Sequence, residues 1–139
     1  MNFLLDTNVI SEPKQKQPHA QVLEWLDAQD ESKLYLSVLT VGEIKKGIAR
    51  LESSRKKAEL EKWLEKLRTR FSQRILLLSE RTFLVWGKWY GEYEKKGVVR
   101  PAFDSLLEAT ALEHDLIFVT RNVKNFQNSQ VTILNPWED

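Results

Sequence analysis

The feature that most restricts this chain is a set of short apolar runs placed between segments of helical periodicity. Phe3-Leu4-Leu5, Leu34-Tyr35-Leu36, Ile75-Leu76-Leu77-Leu78, Ile117-Phe118-Val119 and Val131-Thr132-Ile133-Leu134 all have strand length. Runs with little polar alternation are buried on both faces, the condition of strands in a parallel sheet covered by helices. Val22, Leu23 and Leu26 predict a helix over about 19–29, opened by Pro18. Val41, Ile44, Ile48 and Leu51 predict another, capped by Ser37 or Thr40. Leu60, Trp63, Leu64, Leu67 and Phe71 extend a helix over about 55–71, and Ser53-Ser54 joins the two as a hairpin. Phe83, Trp86, Trp89, Tyr90 and Tyr93 mark one over about 80–96, ended by Gly97. Phe103, Leu106, Leu107, Thr110 and Ala111 mark a last one after Pro101. The expected fold is α/β: a three-layer α/β/α domain with a short central parallel sheet and helices on both faces. It occupies 1–139 as a single domain, without internal repeat or linker, as suits 139 residues.

Absences narrow the chemistry. With no cysteine there is no disulfide, thiolate metal site or cysteine nucleophile. No glycine-rich phosphate loop occurs, and His19 and His114 stand apart from each other and from any ligand spacing. No apolar run approaches the roughly 18 residues of a membrane span. Asp6 follows Met1-Asn2-Phe3-Leu4-Leu5 too early for a signal-peptide apolar region, so the expected location is cytoplasmic, with no membrane partner.

Net charge is only +1, yet it is unevenly spread. Residues 45–74 hold eleven Lys and Arg against four Glu, leaving the remainder acidic. Such asymmetry fits a nucleic-acid footprint on one element and a cation site elsewhere. It also fits a solvated helical face, since Glu59, Glu61 and Glu65 alternate with Lys62, Lys66 and Arg68. The aromatics of 80–96 read as core or dimer contacts in preference to a base-stacking platform.

The acids themselves lie where ligands gather. In open α/β sheets that place is the carboxyl ends of the strands. Asp6 ends the first run, Thr120-Arg121-Asn122 follows the fourth, and Asp104 opens a helix. Glu43 flanks the apolar stripe of Val41 and Ile44, where a carboxylate is costly unless paired or bound to metal. Plain structural roles exist for each: Asp6 and Asp104 as caps, Glu43 as capping-box partner of Thr40, Glu108 facing solvent although within reach of the pocket. Converging, the same acids would hold Mg²⁺ or Mn²⁺, which favour hard oxygen ligands.

Four segments in order carry a family resemblance over nearly the whole chain. Leu4-Leu5-Asp6-Thr7-Asn8-Val9-Ile10-Ser11-Glu12 resembles the opening signature of PIN-domain ribonucleases, most closely VapC-type toxins and FitB-type proteins. Ser37-Val38-Leu39-Thr40-Val41-Gly42-Glu43-Ile44 is similar to the segment supplying the family's second acid, and Pro101-Ala102-Phe103-Asp104-Ser105-Leu106-Leu107-Glu108-Ala109-Thr110-Ala111 to the third. Val119-Thr120-Arg121-Asn122-Val123-Lys124-Asn125-Phe126 is similar to the last. The resemblance implies a PIN-like fold and a catalytic set of Asp6, Glu43, Asp104, Asn122 and Thr120, with Asp6, Glu43 and Asp104 as ligands of Mg²⁺ or Mn²⁺. Asn122 stands where many relatives carry Asp, and supplies an amide without charge. Asn125, departing from the commoner acid-Phe ending, is expected to affect capping alone.

The implied function is a metal-dependent endoribonuclease, the toxin of a type II toxin–antitoxin pair. It would hydrolyse RNA phosphodiester bonds to 5′-phosphate and 3′-hydroxyl ends. Expected partners are RNA, a cognate antitoxin and a second copy in a homodimer. Trp86, Trp89 and Tyr93 are expected at such an interface, and Lys45, Lys46, Arg50, Arg55, Lys56 and Lys57 on the RNA backbone. The alternative is a non-catalytic nucleic-acid or partner-binding module, which Asn122 favours and three intact acids disfavour. An aspartyl nucleophile at Asp6 is disfavoured, because the position two residues on is Asn8 rather than a second acid.

Overall fold

In the computed structural model, which describes residues 1–138, the apolar runs form one fully parallel five-stranded sheet. The strands are β1 (Phe3–Leu5), β2 (Leu34–Ser37), β3 (Ile75–Leu76), β4 (Ile117–Val119) and β5 (Ile133–Leu134), in the order β3-β2-β1-β4-β5. The helices are α1 (Thr7–Ile10), α2 (Ala20–Ala28), α3 (Val38–Ala49), α4 (Arg55–Arg70), α5 (Glu80–Lys95) and α6 (Ala102–Glu113). The third and fifth strands are shorter than expected. Leu77 is exposed, and Val131 is buried outside the sheet's ladder.

β1 is the axis. Phe3 and Leu4 pair with Leu34 and Tyr35 on one side, while Phe3, Leu4 and Leu5 pair with Ile117, Phe118 and Val119 on the other. Its alternating side chains feed two separate cores. Phe3 and Leu5 join Val9, Leu36, Ile44, Ile48, Leu64, Leu67 and Phe71 beneath α1, α3 and α4. Leu4 joins Leu107, Ala111, Phe118 and Phe126 beneath α6, and α5 packs outside α6. Both faces are thus covered and the three layers are present.

Local chemistry starts the helices where the site needs them. Ser37 ends β2 and caps α3 at once, its Oγ accepting from the Leu39 amide at 3.0 Å. No loop intervenes, so Glu43 is carried from the sheet edge into the second turn. Ser54 caps α4 through the Lys57 amide, and Lys57 Nζ donates to the Leu51 carbonyl at 2.9 Å, closing the hairpin. Ser79 and Thr82 form a reciprocal capping box on α5. On that helix the expectation for the aromatics divides. Tyr93 is buried within the chain, and Trp86 stacks on Tyr90 while its indole donates to Ser105 Oγ at 2.8 Å. The apolar surface left outside belongs to Phe83 and Leu84, together with Val99 and Phe103.

Phe118 lies fully buried in β4, edge-on to Phe126 at 5.0 Å between ring centres. Phe118→Ala is expected to cost about 3–5 kcal/mol in urea unfolding, as for other buried aromatics. A cost under about 1 kcal/mol would mean that the second core collapses freely around the deletion.

Candidate active site

Asp6 is the first residue beyond β1 and caps α1. Its amide continues the strand ladder by donating to the Val119 carbonyl at 2.9 Å. The carboxylate is nearly enclosed, with 6% of the residue exposed. Oδ1 accepts from the Thr7 amide at 2.8 Å; Oδ2 accepts from the Thr120 hydroxyl at 2.7 Å and from Asn8 Nδ2 at 3.3 Å. Thr120 Oγ1 in turn accepts from the Asn122 amide at 3.0 Å. Burial raises the Asp6 carboxyl above its ordinary range; the Thr120 and Thr7 bonds oppose this, and the charges of Glu43 and Asp104 add to it.

Asp6, Thr7, Asn8, Glu43, Asp104, Leu107 and Asn122 line one pocket of about 280 Å³. Glu43 reaches it from α3 and accepts from the Thr7 hydroxyl. Asp104, in the first turn of α6, accepts from Asn125 Nδ2 at 3.2 Å. Burial raises its carboxyl too; the Asn125 bond opposes this, and the Glu43 charge raises it further. Among the described residues none of the three acids is in an ion pair. Among the described residues no group of three or more His, Asp or Glu is gathered closely enough to hold a metal ion together. The pocket is an open acidic cradle.

The structure thus brings all five expected residues, Asp6, Glu43, Asp104, Asn122 and Thr120, to one corner. It also corrects several expectations. Glu43 is exposed rather than pressed into the apolar stripe, and no capping box joins it to Thr40. Thr40 is fully buried, and its hydroxyl has no hydrogen-bond partner. Glu108 neither faces solvent nor reaches the pocket: it is 2% exposed and bound to Arg100. Asn125 is not one of the caps of its turn, which are Asn122 and Gln127; its side chain donates to Asp104 instead. Thr7 and Asn8 were visible only as neighbours of Asp6, and their roles depend on α1 folding back over the strand end.

A model of the PIN domain family matches residues 3–128. The chain belongs to that family. Toxin FitB of Neisseria gonorrhoeae is 37% identical over 138 residues, covering 99% of both chains. The VapC ribonuclease Y4jK of Sinorhizobium fredii is 32% identical over 137 residues, covering 98% of both. The crystal structure of FitAcB from Neisseria gonorrhoeae superposes with a TM-score of 0.94 at 36% identity, covering 99% of each chain.

The raised carboxyls give this PIN domain a definite pH signature. Asp104 is protonated more readily when folded than when unfolded. Its contribution to stability is therefore complete below the ordinary value of 3.8 and is lost as pH rises through the folded value. Asp104→Asn, a neutral mimic, is expected to raise the melting temperature in EDTA by a few degrees at pH 7. The gain should vanish toward pH 3.5. Calorimetry across that range checks it, and a gain independent of pH would remove electrostatic crowding as the cause.

Proposed function

We propose that the chain is a Mg²⁺- or Mn²⁺-dependent endoribonuclease acting in the cytoplasm as the toxin of a toxin–antitoxin pair. The observation that carries this reading is the acidic cradle: three carboxylates from separate elements face one pocket and, among the described residues, no Lys or Arg is salt-bridged to them. Relatives named a toxin and a ribonuclease, aligned over nearly the full length, support it.

An all-oxygen donor set suits a hard cation, and an open cradle suits Mg²⁺, which is commonly held by one or two carboxylates and keeps several waters. Asp6, Glu43 and Asp104 would hold it. When bound, such an ion supplies positive charge against the scissile phosphodiester and acidifies nearby water. The chain's own residues do the rest. Asp6 is locked in direction by Thr120, Thr7 and Asn8, and Glu43 by Thr7. Asp104 is held in direction by Asn125. Asn122 offers an uncharged amide at the rim, which orients without repelling phosphate.

From Thr7, Asn8 and Glu43 an open groove leads away, lined by Lys14, Lys16, Arg50, Lys56 and Arg121. This is the proposed path of the RNA backbone. Lys45, Lys46 and Arg55, also expected on the backbone, are exposed outside the groove's lining, and four other cations of the basic hairpin have structural partners. Lys57 ties the hairpin, Arg68 pairs with Glu65, and Arg70 and Arg74 both pair with Glu31. Phe83, Leu84, Val99 and Phe103 leave apolar surface for a second copy or an antitoxin. That no group of three or more His, Asp or Glu among the described residues is gathered closely enough to hold a metal ion, together with the neutral Asn122, favours a second reading, a nucleic-acid-binding module without cleavage.

Digestion of total RNA with and without Mg²⁺, followed by mapping of the cut ends, separates the two readings. The nuclease is expected to leave 5′-phosphates, and Asp6→Ala, Glu43→Ala and Asp104→Ala are each expected to abolish cleavage. Full activity in any one removes that residue from the site, and binding without Mg²⁺-dependent cutting favours the module. Arg50→Gln combined with Lys56→Gln is expected to weaken RNA binding. The slope of its salt dependence should flatten by up to about 0.7 for each phosphate that is no longer neutralised. An unchanged slope returns the hairpin to a solvated face.

A further inference from the structure

Behind the acidic pocket, α6 carries a second carboxylate chemistry that cleavage does not use. Arg100 and Glu108 are 4% and 2% exposed. Arg100 Nε donates to Glu108 Oε1 at 2.9 Å and Nη2 to Oε2 at 3.3 Å. Oε2 also accepts from the Tyr93 hydroxyl at 2.9 Å and from the Ser129 hydroxyl. The same Nη2 crosses to the Gln127 carbonyl at 2.7 Å, with the guanidinium 4.8 Å from the centre of the Tyr93 ring. One enclosed ion pair therefore joins α5, α6 and the 127–129 segment.

Its position relative to the site matters. Glu108 lies one helical turn beyond Asp104 on α6, turned toward α5 where Asp104 faces the pocket. Gln127 lies two residues beyond Asn125, which holds Asp104 at the pocket. Besides the packing of Phe126 beneath α6, polar contacts bridge the two segments at the rim, by Asn125 and Asp104, and in the interior, by Arg100 with Glu108 and Gln127. The rim bridge is a single amide contact in an exposed setting, whereas the interior bridge is enclosed. Arg100 also immediately precedes Pro101, whose carbonyl accepts from the Ser105 amide at 2.9 Å in the first turn of α6.

A buried ion pair adds little net stability, because desolvation offsets the attraction, and an apolar pair of equal volume often serves as well. What the planar guanidinium adds is direction, through fixed donors that a lysine cannot reproduce. We propose that Arg100 and Glu108 are positioning residues that hold Asp104 and the 122–127 segment at the separation the cation site requires. The proposal rests on the metal-dependent nuclease reading and extends it to residues outside the pocket.

The test compares wild type with the apolar double variant R100M/E108L, measuring melting temperature in EDTA, Mn²⁺ affinity by electron paramagnetic resonance, and amide hydrogen exchange at 122–128. The expected result is a near-wild-type melting temperature, Mn²⁺ affinity weakened by about tenfold or more, and faster exchange at 122–128 in EDTA. A folded double variant with wild-type Mn²⁺ affinity and wild-type exchange overturns the proposal. If the double variant does not fold, R100K, which keeps the charge but not the planar fork, is expected to weaken Mn²⁺ binding and speed exchange to a smaller degree. No change in either then overturns it. Wild-type protein that binds no Mn²⁺ instead overturns the nuclease reading, and exchange alone decides whether the pair holds the segment.

Discussion

The rest of the structure depends on the pairing of β1 with a parallel strand on each side. The chain winds outward from β1 through β2 to β3, then returns across the sheet to add β4 and β5 on the other edge. Winding in opposite senses from one strand opens a crevice at its carboxyl end. Asp6 is the first residue into that crevice. A carboxylate beside two apolar cores is expensive, and the donors from Thr7, Asn8 and Thr120 offset the expense. Strand pairing thus dictates both where the acid sits and which neighbours must be polar.

The strands, the helices and the order of the acids were legible because each leaves a local mark. Three or four apolar residues in succession mark a doubly covered strand; recurrence at three and four marks a helix; Ser37 and Gly97 stand at ends where caps are needed. The corner of Asp6, Glu43, Asp104, Asn122 and Thr120 followed from the family resemblance and from the rule that strand ends converge. What escaped were relationships between distant segments. Nothing local to Arg100 or Glu108 announces that both are buried, since charged residues normally are not. Spacing gives Glu108 the same helical side as Asp104, but only the packing of α5 over α6 decides that one acid faces the site and the other the interior. The role of Asn125 was hidden for the same reason: its partner is 21 residues away.

Charge shows the opposite failure, in which a strong local signal overstates its meaning. The eleven cations of residues 45–74 look like one surface. In the fold they divide. Arg70 and Arg74 clamp Glu31 and the 31–34 backbone to the end of α4, and Lys57 satisfies carbonyls at the end of α3. Arg50 and Lys56 remain along the groove. Composition counts charges; only topology says which are already engaged.

The span between the two ends of the site also governs when it can exist. The hydroxyl that fixes Asp6 belongs to a residue 114 positions later. Translation at about 5–20 residues per second separates the emergence of the two by on the order of ten seconds. Throughout that interval β1 lacks β4, and its neighbouring carboxylate lacks Thr120 and Asn122. A ribosome-bound chain that has not yet reached Thr120 and Asn122 therefore carries no assembled cleft. A chain able to cut RNA would be kept from doing so until its own message has been read at least through Thr120 and Asn122.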